Sequence, residues 1–234
     1  YDPEELVAYE LGYKTQWLDN SLQLNGSFYY YDYENIHTVA TEVNSFFGTS
    51  TSVLPAPGAE IKGMEAELTW LATDSLTLGG NFSYTPNEYS EDLDILDPAG
   101  FDRPASLFGA ATSVKNINGN QLLQVPESKF NAWATHVTPL DSGATLMFSG
   151  SYSWIDKVYY SPFQNEDEVS EGDGRLDLRA TWTSRDGRMM VSGFMNNVFD
   201  DTGVLQVLRH GEEEMFRQSA GTTLPRLMGI ELTV

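Results

Sequence analysis

The sequence predicts an all-β fold: an antiparallel transmembrane β-barrel fragment of about nine meandering strands, with short turns at one end and long loops at the other. Three observations carry that prediction. Apolar residues recur at every second position, while helical periodicity is hard to find. Aromatic residues take fixed places at the ends of the alternating stretches. The connections between stretches are short and long in turn. A soluble β-sandwich binding module also alternates and stays open as an alternative, but it has no reason to couple face, aromatic position and loop length.

The first strand sets Tyr9, Leu11, Tyr13 and Trp17 against Glu10, Gly12, Lys14 and Gln16. The second, Ser21–Tyr30, sets Leu22, Leu24, Gly26, Phe28 and Tyr30 against Gln23, Asn25 and Ser27. In the third, Met64, Ala66, Leu68 and Trp70 oppose Gly63, Glu65, Glu67 and Thr69. The fourth, Ser75–Tyr84, repeats the order of the second, with Leu76, Leu78, Gly80, Phe82 and Tyr84 on one face. Ser128–Val137 follows with fainter alternation that leaves its faces unassigned. Ala144–Trp154 sets Leu146, Phe148, Gly150, Tyr152 and Trp154 against Thr145, Ser149, Ser151 and Ser153. Next, Leu176, Leu178, Ala180 and Trp182 oppose Arg175, Asp177, Arg179 and Thr181. Met189–Val198, again with unassigned faces, and Arg226–Val234 complete the set.

Short connections lie at Leu18–Ser21, Thr73–Ser75, Pro139–Gly143 and Ser184–Arg188, each carrying Asp with Asn, Ser or Gly, as tight turns require. Long ones lie at Asn35–Glu60, Thr85–Val125, Asp156–Gly172 and Phe199–Leu224. In an outer-membrane barrel short turns face the periplasm, long loops face outward, and aromatic girdles mark both interfaces. On that reading Trp17, Trp70 and Trp182 form the periplasmic girdle, and Tyr30, Tyr84, Tyr152 and Trp154 the outer one. Membrane lipid is then the first partner, and the expected location is the outer membrane of a Gram-negative bacterium.

Composition agrees by exclusion. The 234 residues carry 34 Asp+Glu against 13 Lys+Arg, a net charge of −21, and no cysteine. No run of ~20 apolar residues exists to cross a membrane as a helix. A disulfide scaffold and a Cys-ligated metal are excluded, and so acidic a chain is a poor partner for nucleic acid. With 12 Tyr, 12 Phe and 5 Trp it has ample surface to bury, which argues against disorder. A mean hydropathy of −0.33 suits strands that are half polar by construction. An odd strand count, a first strand heading towards a short turn, and an opening at Tyr1 without a secretion signal lead us to expect further strands upstream.

Five motifs spread over the chain resemble those of TonB-dependent outer-membrane receptors, in that family's order. They are Pro3-Glu4-Glu5 with Tyr9-Glu10-Leu11-Gly12-Tyr13-Lys14, Phe28 to Ile36 (FYYYDYENI), Ala59 to Leu68 (AEIKGMEAEL), Asn197-Val198-Phe199-Asp200-Asp201, and Pro225-Arg226-Leu227-Met228-Gly229-Ile230. The resemblance implies that residues 1–234 are the C-terminal portion of such a receptor's 22-stranded barrel, with the plug domain, its TonB box and earlier strands absent. It further implies energised uptake of a scarce, bulky nutrient: a ferric siderophore, haem, cobalamin or oligosaccharide. The partners it implies are the missing plug and strands, the TonB complex acting through that plug, and a small-molecule or metal-chelate ligand. A departure from the family is the ending at Val234 rather than at an aromatic residue. A passive porin-like channel is the other membrane reading.

Catalysis has no foothold. His37, His136 and His210 are scattered, and no Ser/His/Asp spacing recommends itself. No phosphate loop, zinc motif or EF-hand consensus appears, so neither an enzyme nor a cofactor or metal site is expected. The candidate ligand contacts are loop aromatics set among Gly, Ser and Asp: Phe46, Phe47, Phe101, Phe108, Tyr159, Tyr160 and Phe163. The lumen-facing charges Glu65, Glu67, Arg175, Asp177 and Arg179 are expected to pair between strands or to touch the plug. Acidic clusters (Glu88, Glu91, Asp92, Asp94, Asp97; Glu166, Asp167, Glu168, Glu171, Asp173; Glu212, Glu213, Glu214) read as solvated loop surface before they read as cation sites.

Overall fold

The computed structural model describes residues 3–44, 48–97, 113–209 and 218–234. In chain order its strands are β1 (Glu5–Trp17), β2 (Leu22–Asn44), β3 (Gly48–Leu71), β4 (Leu76–Tyr84), β5 (Asn87–Tyr89), β6 (Asp94–Asp97), β7 (Ser113–Asn116), β8 (Ser128–Pro139), β9 (Thr145–Ile155), β10 (Val158–Tyr159), β11 (Val169–Ser170), β12 (Asp173–Thr183), β13 (Met190–Asn196), β14 (Val204–Arg209), β15 (Gln218–Thr222) and β16 (Leu227–Thr233). Nine of them, β1, β2, β3, β4, β8, β9, β12, β13 and β16, form an antiparallel meander in which each pairs with the next. No described residue pairs with the outer edge of β1 or β16, so this sheet is open.

Register puts like with like. Trp17, Leu22, Trp70 and Leu78 fall in one row across four strands, and Leu11, Phe28, Met64 and Tyr84 in another nearer the far end. The faces that the alternation of β8 and β13 left open follow from their neighbours. Phe130, Ala132, Ala134 and His136 pair with Trp154, Tyr152, Gly150 and Phe148 on the apolar face. Val191, Gly193 and Met195 pair with Trp182, Ala180 and Leu178 on the same face. Trp133 therefore joins the polar face, which is why β8 alternates so faintly in sequence.

The four short turns close on local chemistry. Leu18, Asp19 and Asn20 all take left-handed backbone, with φ of 53°, 53° and 68°. The Thr73 hydroxyl accepts the N–H groups of Ser75 and Leu76 at 3.2 and 3.0 Å. The turns that follow β8 and β12 each need a residue at positive φ, filled by Gly143 (83°) and Gly187 (71°). At the last of them Asp186 accepts from the Ser184 hydroxyl and the Arg188 N–H, which holds its carboxyl below the usual range.

Sheet packing relies on aromatic rings laid across glycines directly opposite in register. Tyr13 covers Gly26, Tyr29 covers Gly63, Trp133 covers Gly79 and Phe194 covers Gly229. Each ring replaces the contact that an absent side chain would have made, a known device for stabilising cross-strand pairs.

One expectation needs correction. The connection predicted at Asn35–Glu60 is for the most part strand, because pairing of β2 with β3 continues from Ile36↔Ala56 to Asn44↔Gly48. Outside the apolar layer a strand no longer needs an apolar face, so alternation fades while the β-branched residues Thr38, Val39, Thr41 and Val43 still favour extended backbone. The other three long connections also carry strands of their own: β5, β6 and β7, then β10 with β11, then β14 with β15.

Gly79→Ala should destabilise the sheet by about 1–3 kcal/mol, because its new methyl group would run into the Trp133 indole. Gly193→Ala on the apolar face meets nothing within 4 Å and should change stability by less than about 0.5 kcal/mol. Urea unfolding of the two variants in lipid vesicles, in the full-length protein, measures the difference; equal losses would remove the ring-over-glycine account.

Candidate functional site

The cluster of buried apolar side chains lies past the row of Tyr30, between the far end of the β2–β3 hairpin and the connection that follows β4. Ala56 and Ala59 of β3, Tyr89, Ile95, Ile117 and Leu122 form it, with Tyr33, Ile36, Leu54, Ile61, Leu93, Val125 and Phe163 packed around. Tyr33, Ala59 and Ile61 share the parity of Tyr29, Gly63 and Glu65, so the cluster stands on the continuation of the polar face. Tyr33 and Ile36 have opposite parity yet reach the same cluster. Between them Asn35 takes a φ of 56° where register places it opposite Pro57, and the strand face turns there.

Residues 85–97 and 113–125 fold onto this hairpin as a strap. From β4 the chain pairs β5 with β3, crosses the hairpin, and adds β6 and β7 at the far edge of β2 through Thr41↔Leu96. Asn87, 7% exposed, fixes the start: its carboxamide donates to Thr85 and Val125 carbonyls and accepts the Leu122 N–H at 2.8 Å. Tyr89 is buried, and its hydroxyl is 3.1 Å from that of Thr38. Burial pushes its phenol above the ordinary tyrosine value, with the Thr38 hydrogen bond opposing.

A polar latch joins this strap to the next loop. Lys115 Nζ lies 2.6 Å from Oδ2 of Asp97, which is 1% exposed, and donates to Asn165 Oδ1 at 2.9 Å. The Asn165 amide returns to Asp97 at 3.3 Å and to Glu168 at 2.7 Å. Asn120 donates to the Pro162 carbonyl at 2.7 Å, and Phe163 closes the apolar side. The Tyr160 hydroxyl then donates to the Val204 carbonyl at 2.7 Å, tying this loop to β14. Three long connections thus form one packed rim.

Of the predicted contact residues, Phe46, Phe47, Phe101 and Phe108 lie outside the described residues, as do His210 and Glu212 to Glu214. Tyr160 and Phe163 hold loops together. Tyr159 sits under the Lys157 ammonium at 5.9 Å and lines a polar hollow with Glu60, Lys62 and Glu88. The acidic clusters are largely tied down: Asp92 and Asp94 accept from Asn118 and Asn116, and Glu171 pairs with Lys157 at 3.3 Å. That hydrogen bond to Glu171 is the main cause of a raised Lys157 pKa.

On the polar face, Glu65 and Glu67 line a cleft of about 730 Å³ with Glu10, Lys14, Asn25 and Lys129. Arg179 reaches across to Glu231 on β16 at 2.6 Å, its guanidinium 5.3 Å from the Phe194 ring centre. Arg175 and Asp177 pair at 3.3 Å along β12 itself, so here the ion pair does not bridge strands. Glu231, the lone acid between Ile230 and Leu232, escaped the sequence reading, though its parity was available. Trp17, Trp70 and Trp182 stand at the turn end of the apolar face and Tyr30, Tyr84, Tyr152 and Trp154 at the loop end. Phe130, its ring 5.7 Å from those of both Tyr152 and Trp154, belongs with the latter.

The comparisons with known proteins agree with this architecture. A family model, TonB dependent receptor-like, beta-barrel, matches residues 1–198. The chain is 26% identical over 160 residues to a probable TonB-dependent siderophore receptor, PiuA, of Acinetobacter baumannii, covering 68% of this chain and 18% of that protein. The ferric yersiniabactin uptake receptor FyuA from Yersinia pestis superposes with a TM-score of 0.73 at 17% identity, over 98% of this chain and 29% of its own. The solved siderophore receptor PiuA from A. baumannii gives 0.71 at 19% identity, over 98% and 28%. The chain therefore spans less than a third of the length of these relatives, and at such identities the structural likeness speaks for the fold.

Two measurements probe the rim. Lys115→Met should leave Asp97 buried beside one cation fewer and loosen the two loops by about 1–3 kcal/mol, read as faster amide exchange over 113–125 and 156–172; unchanged exchange would mean that the latch is redundant. Alkaline titration probes Tyr89. A raised folded-state pKa means that its contribution is full below the ordinary value of ~10 and lost as pH rises through the folded value. Exchange of the strap should accelerate in that window, and Tyr89→Phe should abolish the acceleration while costing about 1 kcal/mol for the Thr38 bond.

Proposed function

Because the chain belongs to the TonB-dependent receptor β-barrel family, we propose that it forms the C-terminal wall and outer loops of an outer-membrane receptor for a ferric siderophore. The rest of that receptor supplies the earlier strands and the plug, and the TonB complex supplies the energy. The observation that carries this reading is the packed rim. Two long connections share a core and a latch, and a hydrogen bond from Tyr160 ties a third to them, at one end of a sheet whose polar face continues beneath. A passive pore needs no such investment in its loops, whereas presentation of a shaped surface on a rigid scaffold is how loops recognise ligands. Siderophore is preferred as the cargo class because PiuA is described as a siderophore receptor, and FyuA is described as an uptake receptor for a ferric ligand, yersiniabactin.

The reading has a direct test. In iron-starved cells that express the full-length receptor as their sole siderophore receptor, radiolabelled ferric siderophore should accumulate, and a protonophore should stop it. Deletion of 91–97 with 113–118 should cut accumulation by at least about tenfold while the barrel still migrates as a folded species on unheated gels. Accumulation that survives the protonophore would fit a passive channel; no accumulation of any ferric siderophore would reject the cargo class.

A further inference from the structure

We infer that the apolar face carries a binding site for one phospholipid of the periplasmic leaflet, with an acyl chain in a groove over β8, β9, β12 and β13 and the phosphate on His136. The inference rests on the outer-membrane reading above. Two separate features meet there. The first is a groove of about 580 Å³, almost wholly apolar, floored by Ala134, Gly150, Ala180 and Gly193 and walled by Phe148 and Leu178. Elsewhere the same rows carry bulky side chains: Trp70 and Leu78 in one, Leu76 and Ile230 in the other. The second is the groove's one titratable side chain on that face, the exposed imidazole of His136, paired in register with Leu76 on one side and Phe148 on the other.

Position decides what can fill the groove. It spans β8 to β13 and β16 still separates it from the nearer edge, so strands that close the barrel at β1 and β16 do not reach it, and a domain inside the barrel would touch the opposite face. Whatever covers it comes from the plane of the membrane. His136 stands one outward-facing row in from Thr138, Leu146 and Trp182, about 7 Å along the strand from the row that ends the apolar face. That is the depth at which a side chain can lean to a lipid headgroup. An ionisable group in the hydrocarbon zone is costly without a partner, and a phosphate accepts from an imidazolium in a charge-assisted hydrogen bond. From His136 outward, β8 presents Ala134 and Ala132 before it reaches Phe130, with Gly150 and Gly80 on one side of each, a low track along which an acyl chain can lie.

Native mass spectrometry of the full-length receptor, delipidated in detergent and supplied with phosphatidylglycerol or with diacylglycerol of the same chains, tests this. The parent protein should retain one phosphatidylglycerol. His136→Leu should lower that retention about tenfold, the worth of one charge-assisted bond, and leave diacylglycerol unchanged. Gly193→Leu, whose new side chain points into open space, should fill the groove and lower both. Equal phosphatidylglycerol retention in all three proteins would overturn the site, and so would release of bound lipid by a second receptor copy seated on this face. Flotation of the receptor with vesicles keeps the two readings apart, since a protein that does not float fails the membrane assignment before any lipid site is at issue.

Discussion

Everything in this chain follows from the obligation to pair backbone N–H and C=O groups where no water can reach them. In hydrocarbon an unpaired group costs several kcal/mol, so only a helix or a closed sheet can cross. The chain has no helix among its described residues. Its strands instead pass hydrogen bonds from β1 to β16 without a break, and side chains are left to divide by parity. That division inverts the usual soluble plan. Leu178 and Phe148 are exposed in mid-sheet, while carboxylates and guanidinium groups line the other side. On the outer-membrane reading proposed above, lipid takes the part of a protein partner on the apolar face. Rings over glycines, three of the four on the polar face, add cross-strand contacts that lipid cannot supply.

Where the lipid ends, the rules revert. Residues 85–97 and 113–125 stand beyond the apolar face and must bury something to stay folded, and there Ile117 meets Ala56 and Ala59 of the hairpin, at the lowest exposures of the described apolar residues. The strap needs the hairpin of β2 and β3 as its base, which explains why that hairpin runs far past the row of Tyr30. Asp97 and Glu168, among the least exposed carboxylates described, sit in the latch, where an acid could not stand without Lys115 and Asn165. An acidic loop composition thus hides a division of labour between tie and surface.

That division marks the limit of what sequence reveals here. The nine membrane strands, their order and their tight turns were legible because lipid imposes a two-residue period that leaves its mark on every strand it touches, and Leu22–Tyr30 and Leu76–Tyr84 carry it plainly. The faces of β8 and β13 were not, since Trp133 and Phe194 sit on the polar side as covers for Gly79 and Gly229, and the period is blurred by the sheet's own packing. The strands of the loops obey no such period. Whether Asp94 binds solvent or Asn116 depends on a partner 22 residues away, which alternation cannot report.

The two motifs near the end of the chain show how much a local pattern can mean once folded. Asn197 to Asp201 and Pro225 to Arg226 are separated by a whole loop, yet they clasp each other. Asn197, 2% exposed and at a φ of 52°, donates to the carbonyls of Asp201 and Leu224 and accepts the Asp201 N–H. Asp200 accepts the Arg226 N–H at 2.7 Å and stands 3.7 Å from its guanidinium, which donates to the Val198 carbonyl. Asp177 of β12 caps the Asn197 N–H at 2.7 Å from the neighbouring strand. A two-residue slip of β16 would keep its apolar residues on the correct face, so parity alone cannot set its register. The clasp can, because it fixes Arg226 in space immediately before the strand begins. The same bonds hold the base of β14 and β15, so the chemistry that sets the last strand also fixes where the last loop stands.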